Sequence, residues 1–163
     1  MGGRRLAVLA ALGLGLLSGC RALGGEGAGP AGGQYPSNGQ RIYFSATDSS
    51  GQAMSYQGGP MGGMGQMGGI RLACASCHGQ DGHGGRVTMG MQTFDVPNVT
   101  WPVLTGQVQS GEMDHPPYTL ETVKRAIAEG IDPAGKPLEP QMPRWSVPPQ
   151  DLSDLVGYLQ TLK

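Results

Sequence analysis

The stretch that decides the fold of this chain is Cys74-Ala75-Ser76-Cys77-His78. It places two thiols three positions apart and an imidazole directly after the second thiol. Three kinds of site use a cysteine pair at this spacing: a redox-active dithiol, half of a zinc site, and the covalent attachment site of a c-type haem. They differ in what they require from the rest of the chain, so the surrounding sequence distinguishes them.

The flanking sequence and the few histidines favour haem. A redox dithiol lies between a strand and a helix, whereas both flanks here are rich in glycine. A structural zinc ion needs four ligands, and His78, His83 and His115 supply no second pair. In haem attachment, the thiolates of Cys74 and Cys77 add to two vinyl groups, and the two-residue spacer lets them span neighbouring pyrrole edges. The histidine that follows then lies over the ring centre and binds the iron.

Residues 1–19 are predicted to be the signal peptide of a bacterial lipoprotein. Arg4 and Arg5 form a positively charged start, and residues 6–17 are an apolar run that is too short to span a bilayer. The sequence Leu17-Ser18-Gly19-Cys20 then resembles a lipoprotein box, in which cleavage precedes the cysteine and its thiol is lipidated. The alternative is an ordinary signal peptide with a cysteine near its cleavage site.

Lipidation at Cys20 gives each of the three cysteines a use, and it agrees with the haem prediction because bacteria attach c-type haem outside the cytoplasmic membrane. We expect an exported lipoprotein that is anchored to the membrane and faces the periplasm or the cell exterior. After cleavage, nine Lys and Arg oppose twelve Asp and Glu, a net charge near −3. This mild acidity argues against nucleic-acid binding and gives no strong docking signature.

The mature chain is predicted to consist of a tether and one small domain. Residues 20–36 are mostly Gly, Ala and Pro, which cannot bury apolar surface, so we expect a flexible segment. Residues 37–163 have the length of one domain. Aromatic residues are only 6% of the chain, and we therefore expect a covalently held porphyrin to supply much of the apolar core.

Caps and hydrophobic spacing predict three helices, over residues 37–46, 119–129 and 149–162. The first starts at a serine and is expected to place Ile42 and either Tyr43 or Phe44 inward. A glycine follows the second. The second helix is expected to direct one apolar face inward, formed by Leu120, Val123 and Ile127. No strand pattern competes with the helices, and the Gly-rich residues 79–90 are predicted to be irregular backbone.

The order of these features resembles that of the class I mono-haem c-type cytochromes. The resemblance covers most of residues 37–163 and implies an all-α fold of three to four short helices around one covalent haem c, with long Gly-rich loops. It also implies that the sixth iron ligand is Met142, in Pro140-Gln141-Met142-Pro143-Arg144-Trp145, where prolines restrict the backbone on both sides. The alternative ligands are Met89, Met91, His83 and His115.

The resemblance further implies contacts around the iron ligands. In the family, a proline carbonyl accepts the N–H of the proximal imidazole and fixes the orientation of its ring. Pro97 is at the matching position. Arg144, Trp145 and Trp101 carry N–H donors that are candidates for binding the haem propionates. A surface arginine and two core tryptophans are the alternative interpretation.

One segment departs from the family pattern. Residues 47–69 separate the first helix from the haem motif, and eight of the nineteen residues from Gly51 to Gly69 are glycine. Met61, Met64 and Met67 recur at every third position, and thioethers prefer Cu(I), so a copper site is one hypothesis. The other is an apolar loop over the haem edge in which methionine fills gaps.

The leading functional hypothesis is a membrane-tethered electron carrier and not an enzyme. Ligation by Met and His leaves no vacant iron position for a substrate. The protein would therefore pass single electrons between respiratory-chain components, with redox proteins and the membrane as partners and no small-molecule substrate. The alternatives are a haem enzyme or sensor with an open sixth position, and a copper-handling module that uses the methionine-rich segment.

Overall fold

The computed structural model describes residues 34–60, 72–107 and 115–163. Within these ranges there are five short helices and four short strands. The helices are α1 (Asn38–Ser45), α2 (Cys74–His78), α3 (Trp101–Leu104), α4 (Leu120–Glu129) and α5 (Pro149–Leu159). The strands are β1 (Ser55–Gln57), β2 (Gly85–Met89), β3 (Gln92–Val96) and β4 (Arg144–Ser146). The predicted small helical fold is confirmed, with one or two more helices than expected.

Helix α1 begins and ends where its caps predict. The Ser37 hydroxyl accepts a hydrogen bond from the backbone N–H of Gln40 at 3.2 Å, which satisfies one of the free donors of the first turn. The helix ends at Ala46, which has the left-handed φ of 49° and donates its N–H to the Ile42 carbonyl. Of the two aromatic residues considered for the core, Tyr43 is buried and Phe44 is half-buried.

Helix α4 also has the predicted limits, but one of its apolar residues points to solvent. Thr119 and Thr122 form a reciprocal capping box at its start, and Gly130, with a φ of 69°, ends it. The buried stripe consists of Val123, Ala126 and Ile127. Leu120 lies at the edge of this stripe in the first turn and is 46% exposed, so its predicted inward orientation was wrong.

The packing of α1 against α5 forms the centre of the domain. At Gly39 the two helices approach so closely that a Cβ atom there would lie 1.9 Å from the carbonyl oxygen of Asp154. The Asn38 amide donates to the carboxylates of Asp151 and Asp154, each at 2.8 Å. The predicted end of this last helix at Leu162 was three residues too long, because the chain leaves α5 after Leu159 through a tighter turn.

The described part of the domain also contains short strands, although no strand pattern in the sequence competes with the helices. Strands β2 and β3 form an antiparallel hairpin, and β2 replaces the irregular backbone predicted for the second half of residues 79–90. Strand β1 pairs antiparallel with β4, although nearly ninety residues separate them in sequence. Pairs of three to five residues carry too little periodicity to be recognised, and the partner of β1 is fixed only by the tertiary fold.

A single cluster of buried side chains joins the helices to strands β1 and β4. Its members are Ile42, Tyr43, Ala46, Tyr56, Leu72, Ala73, Leu104, Val123, Ile127, Trp145, Leu155, Val156, Leu159 and Leu162. In the described part of the chain, every helix is too short or too polar to cross a bilayer. Residues 1–33, which contain Cys20, the predicted signal peptide and most of the tether, lie outside the described residues, as do Met61, Met64 and Met67.

Candidate haem-binding site

Helix α2 brings both thiols and the imidazole of the deciding motif together on little more than one helical turn. Cys74 and Cys77 are three positions apart, so their side chains leave the same side of the helix, and both are free thiols. The Ala73 N–H bonds to the Ser76 hydroxyl at 3.2 Å at the start of this helix. The motif therefore forms a compact unit whose two thiols can bond to the same cofactor.

The electrostatics of the thiols argue against a redox dithiol. Burial raises the pKa of the Cys74 thiol to about 12, and burial also raises the pKa of Cys77. Reactive dithiols have lowered thiol pKa values instead. In the ranges that the structure describes, no group of three or more His, Cys, Asp or Glu side chains converges as a metal site, so the zinc interpretation also lacks ligands.

The imidazole of His78 is buried and held by one hydrogen bond. The side chain is 7% exposed, and its Nδ1 lies 3.0 Å from the carbonyl oxygen of Pro97. A carbonyl only accepts, so Nδ1 carries the proton and Nε2 retains its lone pair. Burial lowers the pKa of the imidazole, against the smaller opposing effect of this bond. His78 is therefore a neutral imidazole with Nε2 as its available ligand atom.

The contact between His78 and Pro97 is the one that the family resemblance implies, and the backbone around it explains its position. The Gly84 N–H donates to the His78 carbonyl at 2.9 Å. A Cβ atom at Gly84 would lie 2.5 Å from the Pro97 oxygen, so only glycine lets that carbonyl approach. Sequence reasoning did not identify Gly84, and its only signal was the paired glycines shortly after the motif.

Tyr43 is a second residue at this site that sequence reasoning assigned only to the core. Its ring is completely buried, and its hydroxyl donates to the Gly79 carbonyl at 2.7 Å, just after helix α2. Burial raises the pKa of the phenol, so the hydroxyl stays protonated as a donor. The first helix thus fixes the end of the helix that carries the thiols.

Met142 lies in the methionine loop, which we define as residues 138–143 between α4 and β4. It is half-buried and packs against the central cluster, as Cys74 does. Its N–H donates to the Glu139 carbonyl at 3.1 Å, which makes the loop a tight turn. Met89 packs against the same cluster, so burial alone does not separate these two methionines.

The remaining alternatives for the sixth ligand lie toward the protein surface. Met91 is fully exposed at the turn between β2 and β3. His83 is exposed and pairs with the Asp81 carboxylate at 3.2 Å. The Nδ1 of His115 lies 2.8 Å from the carbonyl oxygen of Pro116.

Arg144 bonds to the backbone of the methionine loop. Its guanidinium donates to the carbonyls of Leu138, at 2.7 Å, and of Met142, and so holds the loop. It lies against the backbone at Gly130, where a Cβ atom would be 1.8 Å from its Nε. Strand β4 places this side chain beside the end of α4, next to the loop carbonyls that accept its hydrogen bonds. The role of Arg144 at a propionate stays a prediction.

The two tryptophans take different positions. Trp145 is buried, and its ring centroid is 4.9 Å from that of Tyr56 on strand β1. It borders a small apolar cavity of about 10 Å³ that Cys74 and Met54 also line. Trp101 is half-buried at the start of α3, where its backbone N–H donates to the Leu162 carbonyl. A role of either indole at a propionate stays a prediction.

These residues fit a covalently attached haem. Two free thiols leave one short helix, and a buried imidazole follows them with Nδ1 bonded to a carbonyl and Nε2 available as a ligand atom. Met54, from the methionine-rich segment, packs against the central cluster and so belongs to the core in the described part of the chain.

Comparison with known proteins gives one match. The family model described as cytochrome c matches residues 38–163, which is most of the chain. Neither the curated proteins nor the solved structures that were searched contain a significant match. The matched region begins at α1 and includes the motif, the methionine loop and α5. The chain therefore belongs to the cytochrome c family, and its cofactor is covalently attached haem c.

Proposed function

We propose that this protein is a class I, mono-haem electron carrier in which Cys74 and Cys77 attach the haem. His78 and Met142 are its proposed iron ligands. The observation that carries the proposal is the buried imidazole beside two free thiols, with its Nδ1 hydrogen-bonded to the Pro97 carbonyl. The chain contains a single C-x-x-C-H motif, which supports one haem.

The chain's own residues are suited to electron transfer because they hold the proposed ligands by rigid contacts. Haem c, when bound, supplies a one-electron couple. The Pro97 carbonyl fixes the orientation of the His78 ring. Arg144 ties together carbonyls of the methionine loop, so Met142 sits on a braced backbone. Cytochrome c domains are generally electron carriers and not enzymes.

The proposal extends to the membrane and the respiratory chain. Residues 1–19 have the composition of a lipoprotein signal peptide, and Cys20 is its proposed lipidation site. The tether of residues 20–36 would keep the domain near the membrane surface. The proposed partners are a membrane quinol-oxidising complex and a terminal oxidase or reductase. A Cys20→Ser variant should move from the membrane to the soluble fraction, and continued membrane association would contradict the anchor.

The test of the iron ligands is the optical spectrum of the full chain produced with a haem-maturation system. A far-red sulfur-to-iron charge-transfer band is expected in the oxidised protein, with no spectral shift when carbon monoxide is added to the reduced protein. Met142→Ala should lose the band and bind carbon monoxide, whereas Met91→Ala, at a fully exposed methionine, should do neither. Ready carbon monoxide binding by the wild type would instead indicate an open iron and favour a haem enzyme or sensor.

A further inference from the structure

The methionine-rich insertion, which has no counterpart in the family pattern, contacts the methionine loop. It contains strand β1, which pairs in antiparallel register with β4: Tyr56 lies opposite Trp145, and Gln57 lies opposite Arg144. Strand β4 begins two residues after Met142. The insertion therefore supplies the only strand that pairs with β4 in the described part of the chain.

The turn after β1 reaches the loop itself. The Gly59 N–H donates to the carbonyl of Pro140 at 3.1 Å. A Cβ atom at Gly59 would lie 3.3 Å from the Pro143 side chain, and its φ of +95° is one that other residues rarely adopt. Gly59 thus contacts both prolines that bracket Met142, one through its backbone and one by close packing.

Other carbonyls of the loop are held by Arg144, whose guanidinium bonds to the carbonyls of Leu138 and Met142. The two supports differ in origin. Arg144 is next to the loop in sequence, whereas residues 55–59 come from more than eighty positions earlier. A loop without the second support would be attached to the domain mainly through its own ends, and such segments open locally at low free-energy cost.

We propose that residues 55–59, the distal clamp, position the methionine loop so that Met142 stays at the iron. This inference rests on the proposed function, in which Met142 is the sixth ligand. The distal clamp acts on the ligand through the loop, so its members are positioning residues. It also gives the insertion a role that needs no copper.

The test compares two glycines of the insertion in the full chain loaded with haem. Gly59→Pro removes the N–H that bonds to the Pro140 carbonyl. Proline also cannot adopt the positive φ that Gly59 has. Gly51→Pro is the matched control, because Gly51 also has a positive φ, of 81°, and donates its N–H to Asp48 at 2.9 Å, away from the loop. The readouts are the far-red band during heating and the carbon monoxide adduct of the reduced protein.

In the Gly59 variant, the far-red band should disappear well below the temperature at which the helices melt. The carbon monoxide adduct should increase about fivefold to tenfold, because its apparent affinity follows the fraction of molecules with an open loop and one lost hydrogen bond changes that fraction by about this factor. The Gly51 variant should match the wild type. Equal behaviour of the two variants would overturn the clamp.

A milder pair of substitutions tests the same contact if the Gly59→Pro variant does not fold. Gly59→Ala places a methyl group against Pro143, whereas Gly51→Ala meets nothing within 4 Å. Met142→Ala, measured alongside, separates the two possible failures. If it keeps the far-red band, Met142 is not the sixth ligand, and the proposal that the distal clamp positions it is wrong as well. If it loses the band while the Gly59 and Gly51 variants agree, only the clamp is wrong.

Discussion

At the scale of single residues, the proximal side of the site depends on a glycine that no motif identifies. Pro97 is recognisable from its place after the haem motif, but its carbonyl reaches His78 only because Gly84 has no side chain. The φ of Gly84 is +67°, which also favours glycine. The bond that orients the imidazole therefore depends on His78 at the end of α2 and on Gly84 and Pro97, which flank the hairpin of β2 and β3.

Gly84→Ala should weaken this bond and raise the reduction potential. The added methyl group would meet the carbonyls of Val96 and Pro97 at 2.3 and 2.5 Å, so Pro97 must move away from His78. A weaker Nδ1–H···O bond makes the imidazole a poorer donor and favours ferrous iron. We expect a rise of roughly 20–60 mV, given about 59 mV per tenfold change for one electron.

Spectroelectrochemical titration of the holoprotein measures this shift. Gly85→Ala is the control, because Gly85 also has a positive φ, of 109°, but a methyl group there meets nothing within 4 Å. A rise of the same size in both variants would show that backbone strain, and not the Pro97 carbonyl, sets the effect.

At the scale of elements, the crossing of α1 and α5 depends on which glycine faces the other helix. Gly39 of α1 lies directly against the backbone of α5 at Asp154, whereas Gly157 of α5 has open space where a Cβ would be. Sequence spacing predicts both helices but treats the two glycines alike. Only the packed structure shows that one is required and the other is not.

Substitution of these two glycines by alanine should have opposite effects on stability. Gly39→Ala would force the helices apart and should lower the free energy of unfolding by about 2–3 kcal/mol, the upper range for overpacking. Gly157→Ala should raise it by about 0.5–1 kcal/mol, since alanine favours a helix interior. Chemical denaturation of the holoprotein measures both changes. If both substitutions changed the free energy of unfolding in the same direction, the assigned helix crossing would be wrong.

The turn between α1 and β1 carries a pH dependence. The Asp48 carboxylate accepts from the Ser50 hydroxyl at 2.6 Å and from the N–H groups of Ser50 and Gln52 at 2.9 and 2.8 Å. These bonds, with that of the Ser50 hydroxyl the largest, lower the pKa of Asp48 below its ordinary value. Such a group stabilises the fold above its unfolded pKa of about 3.9 and loses that contribution as the pH falls through the folded pKa.

Asp48→Asn should therefore be less stable than the wild type at pH 7 and should converge with it in acid. Urea unfolding at several values between pH 7 and pH 2 measures the difference, and the comparison cancels acid effects that the two proteins share. A difference that does not shrink below pH 4 would contradict the role of the charged carboxylate.

At the scale of the whole molecule, the chain has little apolar material for a core of its own. Among the described residues, the central cluster contains fourteen side chains, and the sequence has 30 Gly and 13 Pro among its 163 residues. Cys74 and Met142 both pack at the margin of this cluster. A haem attached beside them would extend the core with a large apolar body, which small domains require from some source.

The haem-free chain is therefore expected to lose cooperative folding. A Cys74→Ser, Cys77→Ser double variant, which cannot form either thioether, should show weak near-ultraviolet circular dichroism and no sharp thermal transition. The wild-type holoprotein should show both. A cooperative transition in the double variant, at a temperature close to that of the holoprotein, would mean that the protein core suffices without haem.

What the sequence by itself determined is local. The signals that predicted the helices, the family and its cofactor each act within a few residues: the spacing of the haem motif, the boundary residues Ser37 and Gly130, and the apolar stripe of α5. The tertiary structure decided what depends on distant segments: the pairing of β1 with β4, the contacts of Arg144 with the methionine loop, and the close approach at Gly39. These contacts follow from how the whole chain packs, and no local pattern records them.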